Sequence, residues 1–170
     1  GRLLAAISAM GLDKNTYVIY MADNGGGGGG GGKGKGSAQG LRGGKGGLWE
    51  GGIRVPFIVR GPGVAPGSWC HQPVVGYDFF PTFCRWAGVK DKLPANVDGG
   101  DLSPLLSGLN QPVVRRDPAL LFHFPHYQGD TPVSSLREGD LKFVLYYETN
   151  TRLLFDLAKD PSERTNLIDS

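Results

Sequence analysis

Asp23 and Asn24 close an apolar run, Tyr17-Val-Ile-Tyr-Met-Ala22, and Lys45 stands between pairs of glycines in the stretch Leu41-Arg-Gly-Gly-Lys-Gly-Gly-Leu-Trp-Glu-Gly-Gly-Ile-Arg-Val-Pro56. A carboxylate and an amide oxygen at the carboxyl end of a strand can both reach a hard divalent cation. The bland alternative is an Asx turn capping the strand, for which Asp-Asn-Gly is a common sequence. A lysine among glycines brings an ammonium and closely approaching backbone N–H groups to an anion, although most lysines in such turns are simply solvated. A metal and an anion held together point to chemistry on a sulfate or phosphate ester.

Other residues have weaker claims. His123 and His126 flank Phe124-Pro125, with Tyr127 adjacent, and this aromatic and polar cluster could touch a sugar or aryl leaving group; a single histidine is more often a packed or surface residue. His71, beside Cys70 in a turn, has less to offer. Lys33 and Lys35 sit next to the glycine run and read as solvated. Glu50 and Arg54 are four apart, but in a Gly-Gly segment leading into a strand they need not face each other as they would on a helix; a structural role, fixing the lysine loop against a sheet, is the reading for both.

The elements that must position these residues follow from periodicity. Leu3, Leu4, Ile7 and Met10 recur at helical spacing before Gly11, and the apolar strand over 17–22 comes next. A helix feeding a strand is half of a parallel α/β repeat whose first strand is missing, which predicts the later part of a larger protein. Residues 53–60 read as a second, buried strand, closed by the turn Gly61-Pro-Gly-Val-Ala-Pro-Gly67. Asp78 is placed to cap a helix through Phe79, Phe80, Phe83, Cys84 and Trp86, with Pro81 in its first turn and Gly88 ending it. A short helical turn is expected at 102–106. Beyond residue 119 the runs 120–124, 134–137, 141–147 and 153–157 are strands with no helix between them, an antiparallel meander. The predicted division is a catalytic α/β part over residues 1–115 and a small antiparallel subdomain over 116–170.

Composition narrows the classes. The 170 residues include 39% hydrophobic and 10% aromatic side chains, enough for a core. The net charge of +2, from 18 basic and 16 acidic residues, has no polybasic tail that would favour nucleic acid or an anionic membrane. No apolar run approaches the ~18 residues a membrane span needs, and the first ten residues lack the regions of a signal peptide. Of 29 glycines, 17 fall within residues 25–52, so the bias is local; eight in succession over 25–32 carry no side-chain information and would be costly to order.

The order Val18-Ile-Tyr-Met-Ala-Asp-Asn-Gly25, the lysine loop through Pro56, then Val75-Gly-Tyr-Asp-Phe-Phe-Pro-Thr82 resembles the C-terminal portion of a type I sulfatase of the alkaline-phosphatase-like superfamily. Further matches run through Ser135-Leu-Arg-Glu-Gly-Asp-Leu-Lys142 and Leu154-Phe-Asp-Leu-Ala-Lys-Asp-Pro161, so nearly the whole chain is covered. Short pieces are weak alone; their order and spacing are specific. The resemblance implies a sandwich with a mixed, mostly parallel sheet and a small C-terminal antiparallel α+β subdomain. It implies that Asp23 and Asn24 bind calcium, or magnesium, with two acidic residues of a missing N-terminal half, and that Lys45 contacts the sulfate.

What the resemblance implies about chemistry lies partly outside these residues. Sulfatases convert the cysteine or serine of a Cys/Ser-x-Pro/Ala-x-Arg motif to formylglycine, whose hydrate attacks the sulfate ester before collapsing to aldehyde and inorganic sulfate. Here Cys70 precedes His-Gln-Pro and Cys84 precedes Arg-Trp-Ala, so neither is that site, and this chain alone is expected to be inactive. Two cysteines leave a Cys70–Cys84 disulfide open. The expected substrate is a sulfated small molecule or carbohydrate, with no nucleic acid and no membrane span; the family suggests a periplasmic, secreted or lysosomal setting. A phosphonate or phosphodiester hydrolase of the same superfamily and a non-catalytic sulfatase-like binding module are the alternatives. A nucleotide-binding P-loop fits poorly: Gly27 through Lys33 match its first part, but Gly34 follows where Ser or Thr is needed, and Gln39 stands where a glycine would have to precede Lys45. Nor does the loop repeat the arginines and aromatics of an RGG-type RNA binder.

Overall fold

The computed structural model describes residues 1–27, 40–89, 92–109 and 111–168. Lys33, Lys35 and residues 28–32 of the glycine run lie outside the described residues. The chain forms two compact units, neither of them one continuous stretch: Gly1–Tyr20 with Phe57–Pro118, and Met21–Pro56 with Ala119–Ser170.

The first unit is built from helix α1 (Arg2–Ala9), strand β1 (Val18–Met21, whose last residue passes into the second unit), strand β2 (Phe57–Arg60) and helix α3 (Phe79–Trp86). Gly11, at φ +69°, follows the end of α1 as the sequence predicts, but no residue of α1 is buried. β1 and β2 pair as a two-stranded sheet. The second strand is neither as long nor as buried as its sequence suggests: Ile53 belongs to a preceding helical turn, Pro56 has no N–H for a ladder, and Ile58 is 62% exposed. Tyr17 stacks on Trp86 with ring centroids 3.7 Å apart, and Phe57, Phe79, Phe83 and Trp86 continue the aromatic row.

Asp78 does less for the helix and more for the loops than a cap. No side-chain bond to the first turn of α3 is made. Instead Oδ2 accepts from the Val75 N–H at 2.9 Å, Oδ1 accepts from the Gly100 N–H at 2.9 Å, and the Arg115 guanidinium grips both oxygens at 2.8 and 2.7 Å. Gly88, at φ +74°, ends α3 with its N–H on the Arg85 carbonyl and the Val89 N–H on that of Cys84. A helical turn, Leu105–Leu109, stands close to the predicted position. Cys70 and Cys84 are free thiols.

The second unit has a core of its own. β3 (Leu120–Phe124), β4 (Val133–Glu138), β5 (Leu141–Tyr146) and β6 (Thr151–Asp156) form an antiparallel sheet in chain order, as the absence of intervening helices predicts. One face, with Val133, Val144 and Phe155, packs on Leu48 and Trp49 from the lysine loop and on Leu157. Trp49 meets Phe155 edge-on at 5.8 Å, and the Arg42 guanidinium carbon lies 3.5 Å from the Trp49 ring centroid.

Candidate active site

Lys45 owes its position to glycine. Residues 41–52 fold back on themselves so closely that backbone meets backbone: a Cβ on Gly51 would collide with the Arg42 and Gly43 carbonyl oxygens, and one on Gly52 with those of Gly44 and Gly47. The loop then turns into α2 (Glu50–Ile53), a single helical turn containing two glycines. Glycine is a poor helix former, but no larger residue fits at these two positions, so packing overrides propensity. Glu50 and Arg54, which the sequence does not require to face each other, are brought together by this unpredicted helical turn, with Arg54 Nη1 3.9 Å from Glu50 Oε2.

Two backbone hydrogen bonds join this loop to the segment bearing Asp23 and Asn24. The Gly25 N–H donates to the Gly52 carbonyl at 2.8 Å, and the Lys45 N–H donates to the Gly26 carbonyl at 3.0 Å. No side chain fits between them, since a Cβ on Gly25 would strike the Gly51 carbonyl. Asp23 and the Lys45 side chain are exposed and Asn24 is half-buried. The loop between β3 and β4 approaches on another side: a Cβ on Gly46 would lie 2.7 Å from the Gln128 carbonyl oxygen.

Asp23 and Asn24 suit part of a hard-cation shell. Asp23 Oδ1 accepts the Asn24 N–H at 3.0 Å, and Asn24 Nδ2 donates to the Gly25 carbonyl at 2.8 Å. The amide nitrogen is engaged locally, so the amide oxygen and the second carboxylate oxygen are the donors suited to a metal. Calcium takes about six to eight oxygens, so most of the shell must come from elsewhere; among the described residues no three His, Cys, Asp or Glu side chains gather as a metal-binding group. The Asx turn of the sequence reading is not what these contacts make: the Asp23 carboxylate accepts from the next residue, and the Gly25 N–H that such a turn would use donates to the Gly52 carbonyl instead.

His123 and His126 are both exposed but have different surroundings. His123 Nδ1 is 2.7 Å from Ser134 Oγ, which is 2.9 Å from the Tyr147 hydroxyl, and its ring meets Tyr147 edge-on at 6.0 Å. His126 meets Phe124 edge-on at 5.5 Å, and the neighbouring Tyr127 hydroxyl donates to Glu148, which raises the tyrosine's pKa. An open depression bordered by Tyr17, Arg85, Trp86, Asp101 and Leu106 belongs wholly to the first unit and includes none of these residues.

A cluster that sequence reasoning missed lies under the lysine loop. Lys142 and Glu163 are 0% exposed and Glu50 is 1% exposed. Lys142 Nζ stands 3.0 Å from Glu50 Oε1 and 2.8 Å from Glu163 Oε1, while the Glu50 N–H donates to Glu163 Oε2 at 2.7 Å. Arg137 Nη1 adds positive charge 3.7 Å from Glu50 Oε2. Burial pushes the Glu163 carboxyl up from its usual value, and the Lys142 ammonium holds it back. The glutamate of Trp-Glu-Gly-Gly gave half the signal; its partners are far away in sequence.

The sulfatase family model matches residues 1–89. The chain belongs to the sulfatase family. This sulfatase chain is 41% identical to the steryl-sulfatase of Rattus norvegicus, with 96% of this chain and 33% of the relative covered. It is 34% identical to the arylsulfatase A of Homo sapiens, with 99% and 36% covered. A solved structure of a protein in complex with its substrate D-glucosamine-2-N,6-O-disulfate is 27% identical, with TM-score 0.78, and 100% of this chain and 33% of that one are covered. The sulfatase chain thus spans about a third of the length of these relatives. Its fold is the later part of the alkaline-phosphatase-like α/β architecture with a C-terminal antiparallel sheet. Among the described residues no helix is long and apolar enough to cross a membrane.

Proposed function

We propose that the whole protein to which these residues belong hydrolyses sulfate esters of a carbohydrate, releasing an alcohol and inorganic sulfate, and that residues 23–26 and 41–56 form one side of its active site. Supporting this is the pair of hydrogen bonds, Gly25 to Gly52 and Lys45 to Gly26, that joins the segment of two candidate metal ligands to that of a candidate sulfate contact, together with family membership. Asp23 and Asn24 would hold part of the calcium or magnesium shell. A formylglycine, outside these residues, would supply the nucleophilic oxygen, and the metal ion would neutralise charge beside it.

Lys45 is the residue of this chain nearest the chemistry. Its ammonium would offset charge on the sulfuryl oxygens or on the departing oxygen, where a preorganised donor is worth most. His123 and His126 would contact the leaving group; the sulfated sugar bound in the structural relative favours a carbohydrate there. The division into a catalytic part over 1–115 and a leaving-group subdomain over 116–170 belongs to the same proposal. The test is to follow inorganic sulfate release by the whole protein from a 6-O-sulfated glucosamine and from an aryl sulfate, beside a phosphonate monoester. Sulfate release, fastest from the sugar, is expected; faster phosphonate cleavage, or no turnover of either sulfate, would overturn the proposal.

A further inference from the structure

The C-terminal turn over residues 160–166 touches both feet of the lysine loop. At the first foot, Ser162 Oγ donates to the Gly40 carbonyl at 3.1 Å, and Arg42 Nη1 donates to the Glu163 carbonyl at 2.8 Å. At the second foot, the Glu163 side chain accepts the Glu50 N–H at 2.7 Å, and Lys142 from β5 bridges the two carboxylates. Glu163 sits at φ +54°, a backbone region that L side chains rarely adopt, and it is fully buried there. A strained, charged residue persists only where its surroundings over-determine it.

Stability alone does not account for such a cluster. Buried ion pairs are often no more stabilising than apolar residues of the same volume, and their best-attested use is to fix register. Here register is what the loop needs. Glu50 begins the helical turn whose Gly52 carbonyl receives the Gly25 N–H, and the loop has no room to slip because its glycines are in contact with neighbouring carbonyls. A shift of Glu50 must therefore move Gly51 and Gly52, and with them the lysine loop against the Gly25 and Gly26 backbone to which it is hydrogen-bonded.

We propose that Glu163, Lys142 and Glu50 form a positioning clasp, by which the C-terminal turn and β5 set the place of the Lys45 loop relative to Asp23 and Asn24. This rests on the reading of Lys45 as the sulfate contact. The clasp residues act through Lys45 and touch no substrate. Placement errors of about 1 Å cost roughly a hundredfold in rate, so the clasp is expected to matter for turnover more than for folding.

The test uses the whole protein and the combined variant Glu50→Gln, Lys142→Met and Glu163→Gln, which removes the charges while keeping an acceptor for the N–H of residue 50. Its kcat/KM for sulfate ester cleavage should fall by about tenfold to a hundredfold, with most of the loss in kcat and an almost unchanged Tm. In a Lys45→Ala background the same three changes should cost less than about threefold, because the residue they position is gone. Multiplicative losses in the two backgrounds, or full activity of the combined variant, would overturn the clasp. If Lys45→Ala alone leaves kcat/KM intact, the reading of Lys45 fails and the clasp with it. Should the combined variant not fold, Glu163→Gln alone is measured in both backgrounds, with the same non-additivity expected and additivity counting against the proposal.

Discussion

The two compact units of this chain bury apolar residues to different extents: the buried cluster around Trp49 and Phe155 lies in the second, while the first buries Leu102 and Leu105. In the second, a loop rich in glycine is pinned to an antiparallel sheet by Trp49, by a buried lysine between two buried glutamates and by backbone packed against backbone. In the first, two four-residue strands pair, yet Ile58 is 62% and Phe80 53% exposed, and α1 buries nothing. A lone two-stranded sheet is marginal in water, whereas three or more strands with a covered face can stand alone. The lysine loop is therefore held by the region with its own core, although by sequence it falls between β1 and β2 of the other.

The sharpest way to break this contrast is Trp49→Ala. It removes the ring between Arg42 and Phe155 and should cost about 3–5 kcal/mol in urea unfolding; a loss under about 1 kcal/mol would mean that the sheet has no need of the loop. Gly52→Ala comes next. Its methyl group must displace the Gly44 and Gly47 carbonyls, so about 1–3 kcal/mol is expected. Ile58→Ala in this 170-residue chain should stay within about 0.5 kcal/mol, and a loss approaching that of Trp49→Ala would erase the contrast.

The smallest effect is a pH slope. Burial raises the Glu163 carboxyl above its usual 4.5, with Lys142 and the Glu50 N–H opposing. Lys142, Glu50 and, beyond Glu50, Arg137 and Arg54 are the charged groups around it. The folded chain binds this proton more tightly than the unfolded chain, so Glu163 contributes fully below about pH 4.5 and less as pH rises through the raised folded value. Unfolding midpoints measured from about pH 4 to about pH 7 should show a shallow downward component that Glu163→Gln removes; an unchanged slope in that variant would contradict it.

Much of the architecture was legible because its signals are local. Gly88 ending α3 and the four strands beyond residue 119 follow from glycine, turn chemistry and the lack of intervening helices. The strand face was not legible. In Leu141-Lys-Phe-Val-Leu-Tyr146, simple alternation would bury Leu141 and expose Lys142, yet Leu141 is 52% and Lys142 0% exposed. Both faces of β5 carry apolar residues, so the period of two cannot choose between them; the choice is made by Glu50 and Glu163, residues remote in sequence. The same remoteness hid the helical turn at Glu50, where two glycines argue against helix until the neighbouring carbonyls are seen. Asp23, Asn24 and Lys45 were legible as residue types, whereas the backbone bonds that bring their segments together were not.

Lys45, held beside the Asp23 and Asn24 segment by its N–H bond to Gly26, is proposed to contact the sulfate during its transfer. The most direct measurement is kcat/KM for inorganic sulfate release by the whole protein carrying Lys45→Ala, with Tm measured in parallel. A fall of about a hundredfold to a thousandfold with an unchanged Tm is predicted, and a value within about threefold of the unaltered protein would rule out the sulfate contact.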